Sequence, residues 1–210
     1  MFDRPVLYTH PMSRGRIVRW LLEELGQAYE VQRIDYGPAM KSAAYRAINP
    51  MGKVPALRHG AALVTETAAI CAYLADAFPA AGLAPPLNDP ARGAYYRWLF
   101  FAAGPLEAAT TNHFMGFTPP DDPQKRRALG YGSLTEVLDT LDAALAPGDY
   151  LVDDRFTAAD VYVGAHLAWG LAFGTVEKRP NFERYVAGLV ARPAAVRARE
   201  LDDADLAALG

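Results

Sequence analysis

Residues 49 to 70 read Asn49-Pro50-Met51-Gly52-Lys53-Val54-Pro55-Ala56-Leu57-Arg58-His59-Gly60-Ala61-Ala62-Leu63-Val64-Thr65-Glu66-Thr67-Ala68-Ala69-Ile70. Two prolines bracket Met-Gly-Lys-Val, so Pro50-Met51-Gly52 is a turn and Val54-Pro55-Ala56-Leu57 enters a short strand. A proline at the mouth of a strand has no N–H for a ladder and leaves the main chain beside it unpaired. With a cis Val54-Pro55 bond, the N–H and C=O of Val54 face outward, ready to pair with an extended peptide. His59-Gly60 turns the chain, Ala61 to Val64 forms the return strand, and Glu66-Thr67 opens a helix running to about Phe78. Ile70, Cys71, Leu74 and Phe78 give that helix its apolar stripe. Free N–H groups and the positive dipole end at a helix start seat a carboxylate. Thr67 adds a hydroxyl there, and Glu66 can meet an ammonium. The stretch therefore combines main-chain pairing for a short peptide with a socket for an amino-acid head group.

Upstream, Arg4 to Thr9 is β-prone and breaks at His10-Pro11. Arg14 to Leu25 is a helix with Ile17, Trp20, Leu21, Leu22 and Leu25 on its apolar face, stopped by Gly26. Tyr29 to Ile34 alternates apolar and polar residues and reads as a second strand. Lys41 to Ala47 is helical and delivers the chain to Asn49. The order up to Phe78 is βαβ, helix, β-hairpin, helix.

Asn-Pro-x-Gly-Lys-Val-Pro, a hairpin and an acidic-hydroxyl pair opening a helix resemble the glutathione-binding half of the soluble glutathione S-transferases. The resemblance implies a thioredoxin-like α/β N-terminal domain, an all-α C-terminal domain and a cis-proline loop that pairs with the cysteinyl part of glutathione. It assigns glutathione binding to Lys53, Val54, Pro55, Glu66 and Thr67, the last standing where Ser is more usual. It implies no cofactor beyond glutathione as co-substrate, conjugation of its thiolate to a small apolar electrophile, and a homodimer. Peroxidase or isomerase chemistry, and a non-catalytic scaffold, are the alternatives on the same fold. The Ser-Ser-Cys run of isomerase-type members is missing at Met12-Ser13-Arg14.

The thiol of glutathione needs help to ionise, since a free cysteine thiol has a pKa of about 8.5. Lowering it by two units takes about 2.7 kcal/mol of differential interaction. A hydroxyl at the start of the first helix supplies part of this with the helix dipole behind it. Ser13 sits there, and Pro11-Met12-Ser13 resembles the Ser-type, bacterial-like transferases. Its structural role is a plain N-cap. Tyr8, at the end of the first strand, is the Tyr-type alternative, although its spacing to Arg14-Gly15-Arg16 is longer than that pattern. Arg14 is the third candidate. Met12, Phe101 and Phe114 are candidates for an electrophile pocket, and their plain role is core.

The chain has 210 residues, enough for one large domain or two small ones. Pro79, Gly82, Pro85, Pro86 and Pro90 mark a linker, which places a thioredoxin-like domain at 1–81, the linker at 82–87 and a helical domain at 88–210. In the second domain, Arg92 to Asn112 is one long helix bent at Gly104-Pro105. A loop runs from Thr118 to Pro123. Leu134, Val137, Leu138, Leu141 and Leu145 stripe the next helix. Thr157 and Asp160 form a capping box with Phe156 and Val161 as its staple, a structural feature. Asn181 to Ala191 is helical, and the Ala-rich tail from Ala194 is partly so.

Hydrophobic residues make up 51% and charged residues 21%, a globular mix. The net charge of −3, from 21 basic and 24 acidic side chains, speaks against nucleic acid as a partner. The single cysteine, Cys71, lies on an apolar stripe and reads as core; alone it forms neither an intramolecular disulfide nor a cysteine-based metal site. No apolar run is long enough to span a bilayer. His10, His59, His113 and His166 lack metal-ligand spacing. With no signal peptide visible, a cytoplasmic location is expected.

Overall fold

The computed structural model describes residues 4–117 and 119–209. The expected domain ends at Met1 and Gly210, and Thr118 at the start of the Pro-rich loop, lie outside the described residues. In chain order the first elements are β1 (Val6–Thr9), α1 (Gly15–Leu25), β2 (Glu30–Arg33), α2 (Ala43–Arg46), β3 (Ala56–His59), β4 (Ala62–Thr65) and α3 (Thr67–Ala77). Then follow α4 (Ala91–Phe101), α5 (Glu107–Phe114), α6 (Pro123–Arg126), α7 (Leu134–Leu145), α8 (Ala158–Phe173), α9 (Pro180–Val190) and α10 (Pro193–Ala207). Two compact units result, Met1–Leu83 with Ala191–Gly210, and Ala84–Val190.

The first unit is built on a four-stranded sheet of order β2-β1-β3-β4. β1 and β2 run parallel, whereas β3 is antiparallel to both β1 and β4. Side chains alternate across a strand, so Leu7 and Leu57 face one way and their neighbours Tyr8 and Ala56 the other. Leu7 and Leu57 are fully buried, as are Ile17 and Leu21 of α1 and Ile70 and Leu74 of α3. Tyr8 and Ala56 form a second cluster with Met40 and Tyr45, against which Val6, Ile34, Ile48 and Val54 pack. Gly26 closes α1 with a left-handed φ of 64° and donates to Glu23 O. The Lys41–Ala47 helix shrinks to the single turn α2, capped by Ser42 Oγ accepting from Tyr45 N.

The second strand forms as expected; β2 is exposed along its whole length, an edge strand with no outer neighbour among the described residues. One expectation for this unit changes. The tail does not extend the helical domain to residue 210. Its helix α10 packs on α1, drawn there by charge. Arg192 grips Glu24 through two bonds of 2.7 and 2.8 Å, and Arg197 Nε donates to Glu23 at 2.7 Å. Arg19 is buried between Asp202 at 3.2 Å and Asp205 at 2.6 Å.

In the second unit the helix expected across Arg92 to Asn112 is continuous but changes register. Residues Ala102–Leu106 are π-helical, with Pro105 inside. Proline has no N–H to give to the preceding turn, and a widened turn absorbs that loss. The linker residue Pro85 is tied to this unit, its carbonyl accepting from Arg92 Nη1 at 2.6 Å. The stripe on α7 buries Val137, Leu138, Leu141 and Leu145. The capping box of α8 is formed as expected. Asp160 is 0% exposed and accepts from Thr157 N, Thr157 Oγ1, Leu151 N and Tyr185 Oη at 2.8–2.9 Å. Burial pushes its carboxyl above the usual carboxylate range, against the pull of these donors.

Candidate active site

The sheet register brings the candidate residues together. Tyr8 of β1 stands opposite Ala56, the first residue of β3, and Ala56 stands opposite Thr65, the last of β4. The end of β1, the mouth of β3 and the exit of β4 therefore share one end of the sheet. Thr9 of β1 also pairs with Arg33, so the segment leaving β2 arrives at the same end. Ser13 and Arg14, the loop Lys53-Val54-Pro55, and Glu66-Thr67 all follow or precede these strand ends by a few residues.

The loop before β3 is braced from within. Asn49 is buried and bonds in two directions, accepting from Met51 N at 3.0 Å and donating to Lys53 O at 2.7 Å. Tyr45 Oη donates to the same carbonyl at 2.8 Å, and Lys41 Nζ to Gly52 O at 2.6 Å. Gly52 has φ +55°, and a Cβ there would meet Met40 O at 2.7 Å, so the turn needs glycine. The Val54-Pro55 bond is cis. Pro55 is buried, Val54 half-buried and Lys53 exposed. The ladders of β3 begin at Ala56, which leaves Val54 outside them.

At the β4–α3 junction Glu66 has φ 67°, a conformation non-glycine residues adopt only when their surroundings impose it. It makes no side-chain cap for α3. Its side chain is exposed, and Thr67 behind it is buried. The N–H groups of this helix start are thus left uncapped by the N-cap side chain, with a carboxylate beside them.

The β1–α1 loop is the third component. Ser13 Oγ accepts from Gly15 N at 3.0 Å and donates to His10 O at 2.7 Å. Arg14 occupies the N-cap position itself, without a side-chain cap bond, and is exposed. Ser13 is half-buried at the dipole end of α1. The helix starts tight against the strand: a Cβ on Gly15 would lie 1.7 Å from Thr9 Oγ1. Tyr8 differs from Ser13 in kind. It is 5% exposed, inside the cluster with Met40 and Tyr45, its ring 6.2 Å from that of Tyr45.

Met12 extends from the same loop at 68% exposure. Phe101 and Phe114 belong to the second unit: Phe101 is half-buried with its ring edge-on to Trp98, and Phe114 is 71% exposed. Cys71 is fully buried, and burial pushes its thiol up to about 12, which takes it out of thiol chemistry. Among the described residues no group of three or more His, Cys, Asp or Glu could hold a metal ion. No helix among them is long and apolar enough to cross a membrane.

The reading of the sequence missed His10, Tyr36, Tyr45 and Lys41 as parts of this region. Their bonds go to backbone atoms of loops, a role that leaves no periodic or compositional signal. Only His10-Pro11, as a strand breaker, flagged the place.

Residues 7–85 match the glutathione S-transferase N-terminal domain, and residues 108–193 the C-terminal domain. Glutathione S-transferase GstA of Escherichia coli O157:H7 is 36% identical over 132 residues. That match covers 61% of this chain and 62% of the relative, so the chain spans just under two thirds of its length. Glutathione S-transferase hmp2 of Hypomyces subiculosus is 30% identical over 207 residues, covering 91% of this chain and 96% of the relative. A sphingomonad glutathione S-transferase solved in complex with glutathione superposes with a TM-score of 0.75 at 26% identity, covering 94% of this chain and 98% of its own.

Proposed function

From a chain that belongs to the glutathione S-transferase family, and is a glutathione transferase, we propose the finer reading: it conjugates the thiolate of glutathione to a small apolar electrophile. The observation that carries this is the convergence of three elements at one end of the sheet. They are a strand mouth with Val54 outside the ladders, the strained Glu66 beside buried Thr67, and the half-buried Ser13. Val54 pairs with the cysteinyl backbone of glutathione, with Lys53 and Pro55 framing it. Glu66 takes the γ-glutamyl ammonium, and Thr67 with the α3 N–H groups takes its carboxylate.

Ser13 is the thiolate donor in this reading. The Gly15 amide and the α1 dipole pull on its oxygen, which makes its O–H the better donor. It must rotate from His10 O to the sulfur, an exchange of one acceptor for a charged one. Tyr8 is disfavoured by its burial in the core cluster, and Arg14, exposed at the helix start, is next in line. The protein then supplies ionisation and proximity for attack on the electrophile. Met12, exposed on the same loop as Ser13, is the proposed apolar contact of the electrophile within this unit. The proposal includes a homodimer and a cytoplasmic setting. A two-fold mass in light scattering at micromolar concentration checks the dimer.

The deciding experiment is a calorimetric titration with glutathione, followed by turnover assays on aryl halides, peroxides and disulfides. Binding together with aryl halide turnover is expected. Binding with peroxide turnover alone points to the peroxidase alternative, and no binding overturns the proposal in favour of a scaffold.

A further inference from the structure

Resting on the reading of Ser13 as thiolate donor, we propose that His10 is the positioning residue of that site: its neutral imidazole fastens the Pro11-Met12-Ser13 turn and so sets where the Ser13 hydroxyl points. His10 is buried, and it reaches the turn from two sides. Its Nδ1 accepts the Met12 N–H at 3.2 Å, and its carbonyl accepts both Ser13 Oγ–H at 2.7 Å and Ser13 N–H at 3.0 Å. Tyr36 completes the clasp. Its ring lies 4.3 Å from the imidazole and its hydroxyl donates to Met12 O at 3.0 Å. Arg16 Nε donates to Pro11 O and anchors in turn on Asp203 of α10. Main-chain groups of all three turn residues are thus held, and the His10 side chain is the one fastening that a proton can undo.

A lone pair on Nδ1 is needed for the Met12 bond, so the proton of the neutral ring resides on Nε2. An imidazolium has no acceptor, and protonation turns the Met12 N–H away. Around the ring stand Asp35 and Arg33, themselves paired at 2.9 Å, with the Tyr36 ring tilted against it; Arg14 influences Tyr36, and Arg16 holds Pro11. Burial is the largest influence and lowers the His10 pKa below the ordinary 6.5; Asp35 opposes it and Arg33 adds to it. The fastening is therefore complete at neutral pH and is lost as pH falls through that lowered value.

The test uses the full chain and two substitutions. His10→Phe keeps a ring against Tyr36 and deletes the acceptor. His10→Asn restores an acceptor of Asx-turn geometry for the N–H two residues on, and does not titrate. With glutathione and an aryl halide, His10→Phe should lower kcat roughly tenfold with KM for glutathione within about twofold, and His10→Asn should recover most of the loss. In the ligand-free protein the Met12 amide resonance should titrate below pH 6.5 in step with the His10 ring, and this titration should vanish in His10→Asn. An unchanged kcat in a folded His10→Phe variant overturns the proposal. So does a Met12 amide that ignores the ring's titration in the unmutated protein, a readout that needs no variant to fold. If the unmutated protein turns over no electrophile yet shows the Met12 titration, the transferase reading fails and the fastening of the turn stands.

Discussion

Two helix starts in this chain use a hydroxyl in opposite ways. At the start of α8, Thr157 and Asp160 are buried and answer each other, and two further donors from Leu151 and Tyr185 fill the carboxylate. At the start of α1, half-buried Ser13 accepts one amide and donates to one carbonyl, and no carboxylate among the described residues answers it. The start of α3 resembles α1: Glu66 makes no side-chain cap bond and its side chain stays in water. A hydroxyl at a helix N-terminus is thus no mark of a site. What separates the two starts is burial: Thr157 and Asp160 are closed inside the core, whereas Ser13 is only half-buried.

The comparison breaks most visibly at Asp160. Asp160→Ala strands four buried donors and should cost at least about 3 kcal/mol of stability, read as a lower Tm, with glutathione affinity per folded molecule unchanged. A variant that melts normally but loses turnover would reverse the roles assigned to the two helix starts.

Ser13→Ala is the mirror experiment. Losing a hydrogen bond to a charged sulfur is worth about 1.5–3 kcal/mol, or roughly one to two decades in kcat at neutral pH. The deficit should shrink at high pH, where the thiol ionises unaided, and Tyr8→Phe should cost far less. The pH–rate profiles of both variants, with the ultraviolet absorbance of bound thiolate, check this; a shifted profile for Tyr8→Phe alone would move the chemistry to Tyr8. For α3, Glu66→Ala should weaken glutathione binding by about 1–3 kcal/mol in calorimetry through the lost charge-assisted contact. Unchanged affinity would leave its strained backbone without a ligand to explain it.

Local chemistry made much of this legible and distant contacts hid the rest. The turn at Asn49-Pro50, the hairpin turn at Gly60 and the box at Thr157-Asp160 are written in residues with narrow backbone preferences, so a few neighbours suffice. The N-cap role read for Ser13 shifts by one residue: Arg14 holds that position, and Ser13 instead bonds Gly15 N and His10 O. Arg19 was not legible: its burial depends on Asp202 and Asp205, far away in the chain. The exposure of β2 follows from its place at the sheet edge, which the alternation of Tyr29 to Ile34 does not encode. The register change at Pro105 is one of several ways a helix can absorb a proline, and packing selects it.

Asp202 sharpens the comparison with the smallest effect. Like Asp160 it is a buried carboxylate, 1% exposed, but its oxygens accept no hydrogen bond among the described residues, and its nearest charge is Arg19 at 3.2 Å. Burial raises its carboxyl to about 6, with the arginines pulling the other way. The unfolded chain releases this proton near pH 4, so the contribution to stability is present at acid pH and is lost as pH rises through about 6. At pH 7, Asp202→Asn should therefore raise stability by about 1–2 kcal/mol, with the gain fading below about pH 4. Thermal melts across pH 4 to 8 check it, and a loss of stability at pH 7 would show that the ion pair outweighs its burial.

The attachment of α10 to the first unit has a consequence for how the protein is made. That unit is interrupted in the chain: it stops at Leu83 and resumes at Ala191, 108 positions later (191 − 83). At a synthesis rate of roughly 5–20 residues per second, a nascent chain spends about 5–20 s with the sheet and α1 completed and α10 still unmade. During that interval Arg19 has neither Asp202 nor Asp205 to meet, and the surface of α1 that α10 will cover lies open to the ribosome's surroundings. The half that holds the candidate site therefore stays incomplete until the whole of the second unit has been synthesised and α10 follows it.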